Sequence, residues 1–379
     1  MFYDFVVSGG GLAGSLAALA LKKLGFSCYI FDSAKKYKSD FRTSTITKSS
    51  ADFLKEINAW QHIKDFATPI LGIYTYEKNS ASFLHFDCTN KDECATNKSP
   101  MGWVVPNNIL KHALQKEIKI NYGVSYKEVY SSCDKSKLIL SDANTLEGRF
   151  LISAEGRESF CLKTSGILNF SRFYKQSCII CNLKCDSRHK NIAREIFLPE
   201  GPLALLPLKK EDEFSLIWTV DFLHHEQIKN LKKEVFLEKI SKISGLNFVD
   251  IITERIAYPI KIHMAKNYFK KSIIFVGDCM HSIHPVAGQG FNLTVYDIRS
   301  IFQLLSRYDL SDFASLLPSY SKQRLKTNAK MAFFTDLLVR CFSNNSYLLE
   351  TGRNLALDLI NNNLHLKNFF TNRAMGVDL

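Results

Sequence analysis

The chain begins with an apolar run, Phe2 to Val7, that passes into Gly9-Gly10-Gly11-Leu12-Ala13-Gly14 and then a helical pattern from about Leu12 to Leu24. The pattern G-x-G-x-x-G is common by chance, but between a strand and a helix it prescribes a strand–turn–helix unit of a parallel sheet. Gly9 permits the tight turn, Gly11 lets a pyrophosphate approach the backbone, and Gly14 lets the helix lie close to the strand. Free N–H groups at the helix start then face the phosphate charge. The next strand-like run, Cys28 to Phe31, ends at Asp32. An acid about twenty residues beyond the glycines accepts hydrogen bonds from a ribose and repels a 2′-phosphate, which argues against NADP in this cradle.

A second strand-like run, Ser272 to Val276, ends at Gly277-Asp278 and continues through Cys279-Met280-His281-Ser282-Ile283-His284-Pro285-Val286-Ala287-Gly288-Gln289-Gly290. Apolar residues at Leu293, Ile298, Ile301, Phe302 and Leu305 then recur with helical period. A glycine at a strand end lets a ligand lie against the backbone, and the adjoining carboxylate can accept from sugar or polyol hydroxyls. The N–H groups opening the helix face any developing negative charge. His281 and His284 have no third ligand nearby and read as structural or substrate-lining. Cys178 and Cys181 fall on opposite faces of a strand-like stretch, wrong for shared metal ligation. No metal site is expected.

Between the motifs, Tyr122 to Ile152 and Gln176 to Val220 alternate apolar and polar residues and read as β, whereas the tail from Pro318 reads as helices. With 379 residues, 46% apolar and 23% charged, the composition excludes a disordered, collagen-like or coiled-coil chain. The expected architecture is α/β. A discontinuous nucleotide-binding domain (1–70, 101–164 and 268–330) built on a parallel sheet carries an inserted β-rich domain (71–100 and 165–267), and 331–379 forms C-terminal helices. The net charge of +12 comes without a dense basic run interleaved with aromatics, so nucleic acid is not an expected partner. Ten cysteines without a secretory leader suggest reduced thiols and a cytoplasmic setting. No apolar run is long enough to span a bilayer, which leaves a peripheral contact at the inner membrane face, for which the basic tail (Arg324, Lys326, Lys330) is the candidate.

The two motifs together resemble those of the class A flavoprotein aromatic hydroxylases, and within them the ubiquinone-biosynthesis hydroxylases. The likeness covers nearly the whole chain. Asp40-Phe41-Arg42-Thr43 resembles the D-x-R-T segment, and Met101-Gly102-Trp103-Val104-Val105-Pro106-Asn107 resembles L-G-Y-V-V-E-N. Ala154-Glu155-Gly156-Arg157-Glu158-Ser159 is similar to A-D-G-x-x-S. The stretch from His189 to Leu208, with Ala193, Glu195, Phe197, Gly201-Pro202 and Leu206-Pro207-Leu208, resembles H-x-x-x-A-x-E-x-F…G-P-x-A-x-L-P-L. Gly277-Asp278 through Asn292-Leu293, with Asp297, resembles G-D-A-A-H…H-P-x-A-G-Q-G-x-N-L…D, and Arg373-Ala374-Met375-Gly376 also fits. Departures are Ser8 for an aliphatic, Asp32 for Glu, Glu155 for Asp, Cys279-Met280 for two alanines, and Thr294 and Tyr296 for Gly and Arg.

The resemblance implies a Rossmann-like FAD-binding domain, with Gly9, Gly11, Gly14, Asp32, Arg42, Asn107, Gly277, Asp278, Gly288, Gly290 and Asn292 at the cofactor. It implies reduction of the flavin by transiently bound NAD(P)H, addition of O2 to give a C4a-hydroperoxide, and transfer of oxygen to the ring of a polyprenylated phenol. Main-chain atoms around Pro285 and Gln289 would flank the flavin ring, and no side chain is singled out as an indispensable acid or base. Partner proteins of a biosynthetic complex are compatible with this reading. Two other readings share the motifs: a hydroxylase of another aromatic compound, and a non-catalytic flavoprotein scaffold.

Overall fold

The computed structural model describes residues 2–36, 40–77, 83–87, 100–342 and Asn363. The Arg373–Gly376 match and most of 331–379 lie outside the described residues.

Five strands lie side by side and parallel in the order Ile273–Phe275, Thr145–Ser153, Phe2–Ser8, Cys28–Asp32 and Ile120–Tyr122. The centres of three of them are uninterrupted apolar runs: Phe5-Val6-Val7, Phe150-Leu151-Ile152 and Ile273-Ile274-Phe275 are all buried, as a parallel sheet covered on both faces requires. The helices Leu12–Lys23 and Gly290–Leu305 pack together with these strands in one core, which Phe313 joins by edge-on contacts with Phe5 and Phe150. Register sets the position of the site. Ser8 pairs with Ser153 and Phe31, and Ser153 with Phe275. Gly9, Ala154 and Gly277 therefore leave neighbouring strands at the same carboxyl edge, where open α/β sheets bind ligands.

The second sheet is mostly antiparallel, in the order His281–Ser282, Ile256–Ala265, Asn169–Cys185, Glu213–Asp221, Leu203–Pro207, Ile192–Phe197, Gly72–Glu77 and Phe83–Asp87, with Phe248–Ile251 paired to Asn169–Cys185. Alternation gives it two distinct faces. Ile179, Cys181, Leu183, Leu205, Leu216 and Trp218 point to the helix Lys233–Ser244, where Phe236, Leu237 and Ile240 complete a separate core. Cys178 stands on the opposite face from Cys181, as the two-residue period requires. A third, three-stranded sheet (Thr43–Thr47, Gly102–Pro106, Thr68–Ile70) carries Arg42 and Asn107 at its margin.

The tail differs from expectation. One helix, Leu310–Phe342, begins before Pro318 and runs through it. A proline in a helix forfeits one backbone hydrogen bond. Burial of Phe313, Leu317 and Tyr320 on either side holds the helix together across that gap. Arg324, grouped in the sequence with a lipid-facing basic tail, is buried on the same helix, whereas Lys326 and Lys330 are exposed. Its charge is held by a carboxylate, described below.

Candidate active site

The first cradle is built by exclusion. Gly9 has φ +106°, and a Cβ there would lie 2.4 Å from the Ala154 carbonyl oxygen; a Cβ at Gly14 would lie 1.8 Å from the Gly9 oxygen. A Cβ at Gly11 would meet nothing within 4 Å. The first and third glycines are thus demanded by the protein's own packing, and the middle one faces open space. Neither Leu12–Lys23 nor Gly290–Leu305 has a side-chain cap or an acid in its first turn, so both present free N–H groups. This arrangement fits a diphosphate-containing dinucleotide.

The second motif closes on the first. Gly277 has φ +71°, and a Cβ there would come within 2.9 Å of the Ala13 Cβ, at the start of the first helix. Asp278 is half-exposed beside Arg157, Nε to Oδ2 at 3.4 Å. Asp32 accepts from the Gly10 N–H through Oδ2 at 2.6 Å and from the Ala34 N–H through Oδ1 at 2.8 Å. Each oxygen retains a lone pair for a further donor.

Arg42 and Asn107 are brought together through Asp40. Arg42 donates from Nε to Asp40 Oδ1 at 2.8 Å and from Nη2 to Oδ2 at 2.7 Å, and Asn107 Nδ2 donates to Oδ2 at 3.0 Å. Burial alone would raise the Asp40 pKa, but these donors reverse it and hold the carboxyl below its usual range. Pairing with Asp40 in turn raises Arg42. The guanidinium also lies over the Tyr258 ring, 5.2 Å from its centre, and so bridges to the second sheet.

Pro285 precedes the single turn Val286–Gly288, and Gln289, buried, leads into Gly290 at the helix start. A Cβ at Gly288 would press on Thr45 Oγ1 at 2.9 Å, and one at Gly290 would meet nothing within 4 Å. Asn292 is fully buried. It accepts from the Thr47 N–H at 3.0 Å and donates to the carbonyls of Thr45 at 2.8 Å and Gly288 at 3.3 Å. Its visible work is to fasten the loop to the strand Thr43–Thr47. Val286 packs with Phe197 of the second sheet, so the loop stands between the cradle and that sheet.

His281 is structural: its Nε2 lies 2.5 Å from Asp297 Oδ2, both fully buried, while Arg324 Nε donates to Asp297 Oδ1 at 2.7 Å. Burial would raise Asp297, but His281 and the Arg324 guanidinium beside it outweigh that and lower its pKa. His284 is buried, and desolvation pushes its pKa down to about 3, so the ring is neutral.

Several contributors lie outside the motifs or were unassigned within them. Gln115 donates to the Gly10 carbonyl at 3.1 Å and to Ser15 Oγ at 2.9 Å, bracing the glycine turn from a helix whose pattern marks it only as polar. Glu155 accepts from Ser8 Oγ at 2.6 Å, Ser159 Oγ at 2.8 Å, the Cys161 N–H at 3.1 Å and the Tyr126 hydroxyl.

A parallel sheet with glycine cradles at adjoining strand ends, facing a second sheet across a loop, defines the fold and site of the flavin-dependent aromatic monooxygenases. A model of the FAD binding domain family matches residues 3–335. The ubiquinone hydroxylase UbiL of Rhodospirillum rubrum is 30% identical over 392 residues, covering 98% of this chain and 89% of that protein. The 3-demethoxyubiquinol 3-hydroxylase of Escherichia coli is 28% identical, covering 93% of each. Klebsiella pneumoniae HpxO, solved with FAD and uric acid, superposes with a TM-score of 0.79 at 15% identity, covering 98% of this chain and 97% of that one, and shares the fold. The chain belongs to the FAD binding domain family and, within it, to the ubiquinone-biosynthesis hydroxylases.

Proposed function

We propose that the protein hydroxylates the aromatic ring of a polyprenylated phenol in ubiquinone biosynthesis, using FAD, O2 and NAD(P)H, the last bound only transiently. The observation that supports this reading is the close approach of Gly277 to Ala13, so close that an added Cβ would lie 2.9 Å from the Ala13 Cβ, which brings the two distant cradles side by side. When bound, FAD supplies the reduction and oxygen activation that no side chain can. The helix starts at Gly11 and Gly290 offer N–H groups to the diphosphate and to negative charge on the ring system. Asp32 accepts from the ribose and Asp278 from the polyol, while Arg42, held by Asp40, flanks the site with Asn107. Gly277, Gly288 and Asn292 set the loop path, and main-chain atoms from Pro285 to Gln289 border the reacting ring. The second sheet covers the substrate and excludes water, which would otherwise divert reducing equivalents to peroxide.

A hydrocarbon-tailed substrate calls for a peripheral membrane contact. Among the described residues, no helix is long and apolar enough to cross a membrane. On the helix Leu310–Phe342, Lys322, Lys326 and Lys330 share one exposed face with Phe333 and Leu337, which suits an anionic bilayer surface.

The test is purification with flavin analysis, then turnover with a short-chain prenylphenol. Yellow protein, phenol-stimulated NAD(P)H oxidation and a stoichiometric O2-derived hydroxyl are expected. Colourless protein that takes up no FAD overturns the reading, and turnover yielding only peroxide favours the scaffold. In a deletion strain, the accumulated quinone precursor should lack one ring hydroxyl, whose position identifies the carbon oxidised.

A further inference from the structure

The face of the second sheet turned away from the Lys233–Ser244 helix carries a carboxyl group, that of Glu195, to which the site described above gives no role. Glu195 lies on the strand Ile192–Phe197, its flanking residues alternating with it. Ile196 enters the core beneath the sheet, while Phe197, on the same face as Glu195, packs with Val286 of the flavin-site loop. Glu195 is paired with Ala204 on one side and Thr75 on the other. Beyond Ala204 the same face continues through Ile217 to Ile180. It is anchored to the cradle side elsewhere, where Thr43 Oγ1 donates to Ser215 Oγ at 3.1 Å and Arg42 lies over Tyr258.

Among the described residues, no hydrogen bond or ion pair engages the Glu195 carboxyl. The side chain keeps some accessible surface, yet burial alone pushes its pKa up to about 7. A group can be both accessible and strongly desolvated when it lines the wall of an enclosed cleft. The ionisable groups near it do not neutralise it. Cys178, which feels both Glu195 and Arg42, is itself pushed up to about 12 by burial. Arg42 is committed to Asp40, His284 in the loop is neutral, Tyr258 is a phenol, and Glu77 two places along the neighbouring strand from Thr75 is another acid. An uncompensated acid on an apolar wall is costly unless a ligand supplies the missing donor.

We propose that Glu195 is that acceptor for the substrate's phenolic hydroxyl and takes its proton as the ring is oxygenated. The proposal rests on the function argued above. As the phenolic O–H bond breaks, its proton passes to Glu195 and the oxygen's electron pair moves into the ring. That raises electron density at the carbon that forms the new C–O bond. The displaced C–H pair restores aromaticity, its proton is released, and Glu195 returns its proton to the first oxygen. The balance is ArH + O2 + NAD(P)H + H⁺ to ArOH + H2O + NAD(P)⁺: the ring is oxidised, and O2 is reduced with the electrons of NAD(P)H.

The test uses the FAD-loaded full chain, a short-chain prenylphenol and its ring-fluorinated analogue, whose phenol ionises at lower pH. Glu195→Gln should retain FAD and fold, yet lose about 100-fold in hydroxylated product per flavin. The unmodified enzyme should show a limb near 7 in its pH profile, and Glu195→Gln should lack it. The fluorinated phenol should restore much of the loss, and Glu195→Asp should keep the limb at reduced rate. Hydroxylation by Glu195→Gln at the unmodified rate and pH dependence overturns the assignment while leaving the proposed function intact. An unmodified enzyme that binds FAD but hydroxylates neither phenol overturns both.

Discussion

Ser8 donates its hydroxyl to Glu155 Oε1 at 2.6 Å, linking the end of the first strand to the loop that follows Thr145–Ser153. These are two of the positions at which the chain departs from the pattern it otherwise resembles, and each accounts for the other. A hydroxyl in place of an aliphatic side chain supplies a donor, and Glu155, longer than Asp, extends to reach it while still accepting from Ser159 and the Cys161 N–H. A double-mutant cycle with Ser8→Ala and Glu155→Gln should show a coupling of about 1–2 kcal/mol in denaturant unfolding of the holoprotein. Additivity within error would show that the bond contributes nothing net.

The glycine turn makes a prediction in which two variants must diverge. A methyl at position 11 touches nothing in the protein, so Gly11→Ala should fold normally and yet lose bound FAD, because the added carbon occupies diphosphate space. A methyl at position 14 would lie 1.8 Å from the Gly9 carbonyl oxygen, so Gly14→Ala should lower stability before cofactor binding is considered. Flavin content and thermal unfolding of the two variants, measured side by side, check the distinction. Equal flavin content in Gly11→Ala and the unmodified chain would remove Gly11 from the cofactor site.

Asp278→Ala should reduce FAD retention without destabilising the fold, since the carboxylate is half-exposed and its ion pair to Arg157, at 3.4 Å, is itself open to solvent. Flavin remaining after extensive dialysis is the measure, and unmodified retention in the variant would count against a polyol contact.

The parallel sheet and both cradles were legible because each is local: a strand, a glycine turn and a helix start within one short stretch, with spacing fixed by backbone geometry. What the sequence could not disclose was long-range pairing. Arg324 resembled part of a lysine-rich surface, yet it neutralises Asp297 in the core, and nothing near either residue in the chain marks the partnership. Helical periodicity places a side chain on a face but does not say which charge waits there. Gln115 is the same case, a polar residue whose partner, Gly10, lies far away in sequence. Pro318 shows the converse, a strong local signal overridden by apolar packing on both sides.

The Asp297 cluster should dominate acid sensitivity. Asp297 has a lowered pKa in the folded chain, so its contribution is complete at neutral pH and is lost as pH falls below the ordinary aspartate range. Asp297→Asn should cost about 3–5 kcal/mol at pH 7, because Arg324 loses its counterion inside the protein and His281 loses its carboxylate partner. The deficit should narrow at low pH, where the unmodified residue also becomes protonated. Chemical unfolding midpoints from pH 7 to pH 3 provide the readout, and a pH-independent deficit would mean that packing, not charge, is what the substitution removes.

Glu195 makes the opposite prediction. Its carboxyl is raised from 4.5 to about 7 by burial, so between those values the folded chain holds more protons than the unfolded one. Stability contributed by the protonated acid is therefore present below 4.5 and declines as pH rises through 7. An amide cannot ionise, so Glu195→Gln should match the unmodified protein under acid conditions and exceed it by roughly 1–3 kcal/mol at pH 8. The comparison is made without substrate, because a bound phenol would supply the donor that the free carboxylate lacks. Adding a non-reactive phenol should then narrow the gap at pH 8. A variant that is more stable but less active identifies a group kept for its ligand rather than its fold. Equal stability of the two proteins at pH 8 would mean that water already solvates the carboxylate and that no enclosed acid exists on this wall.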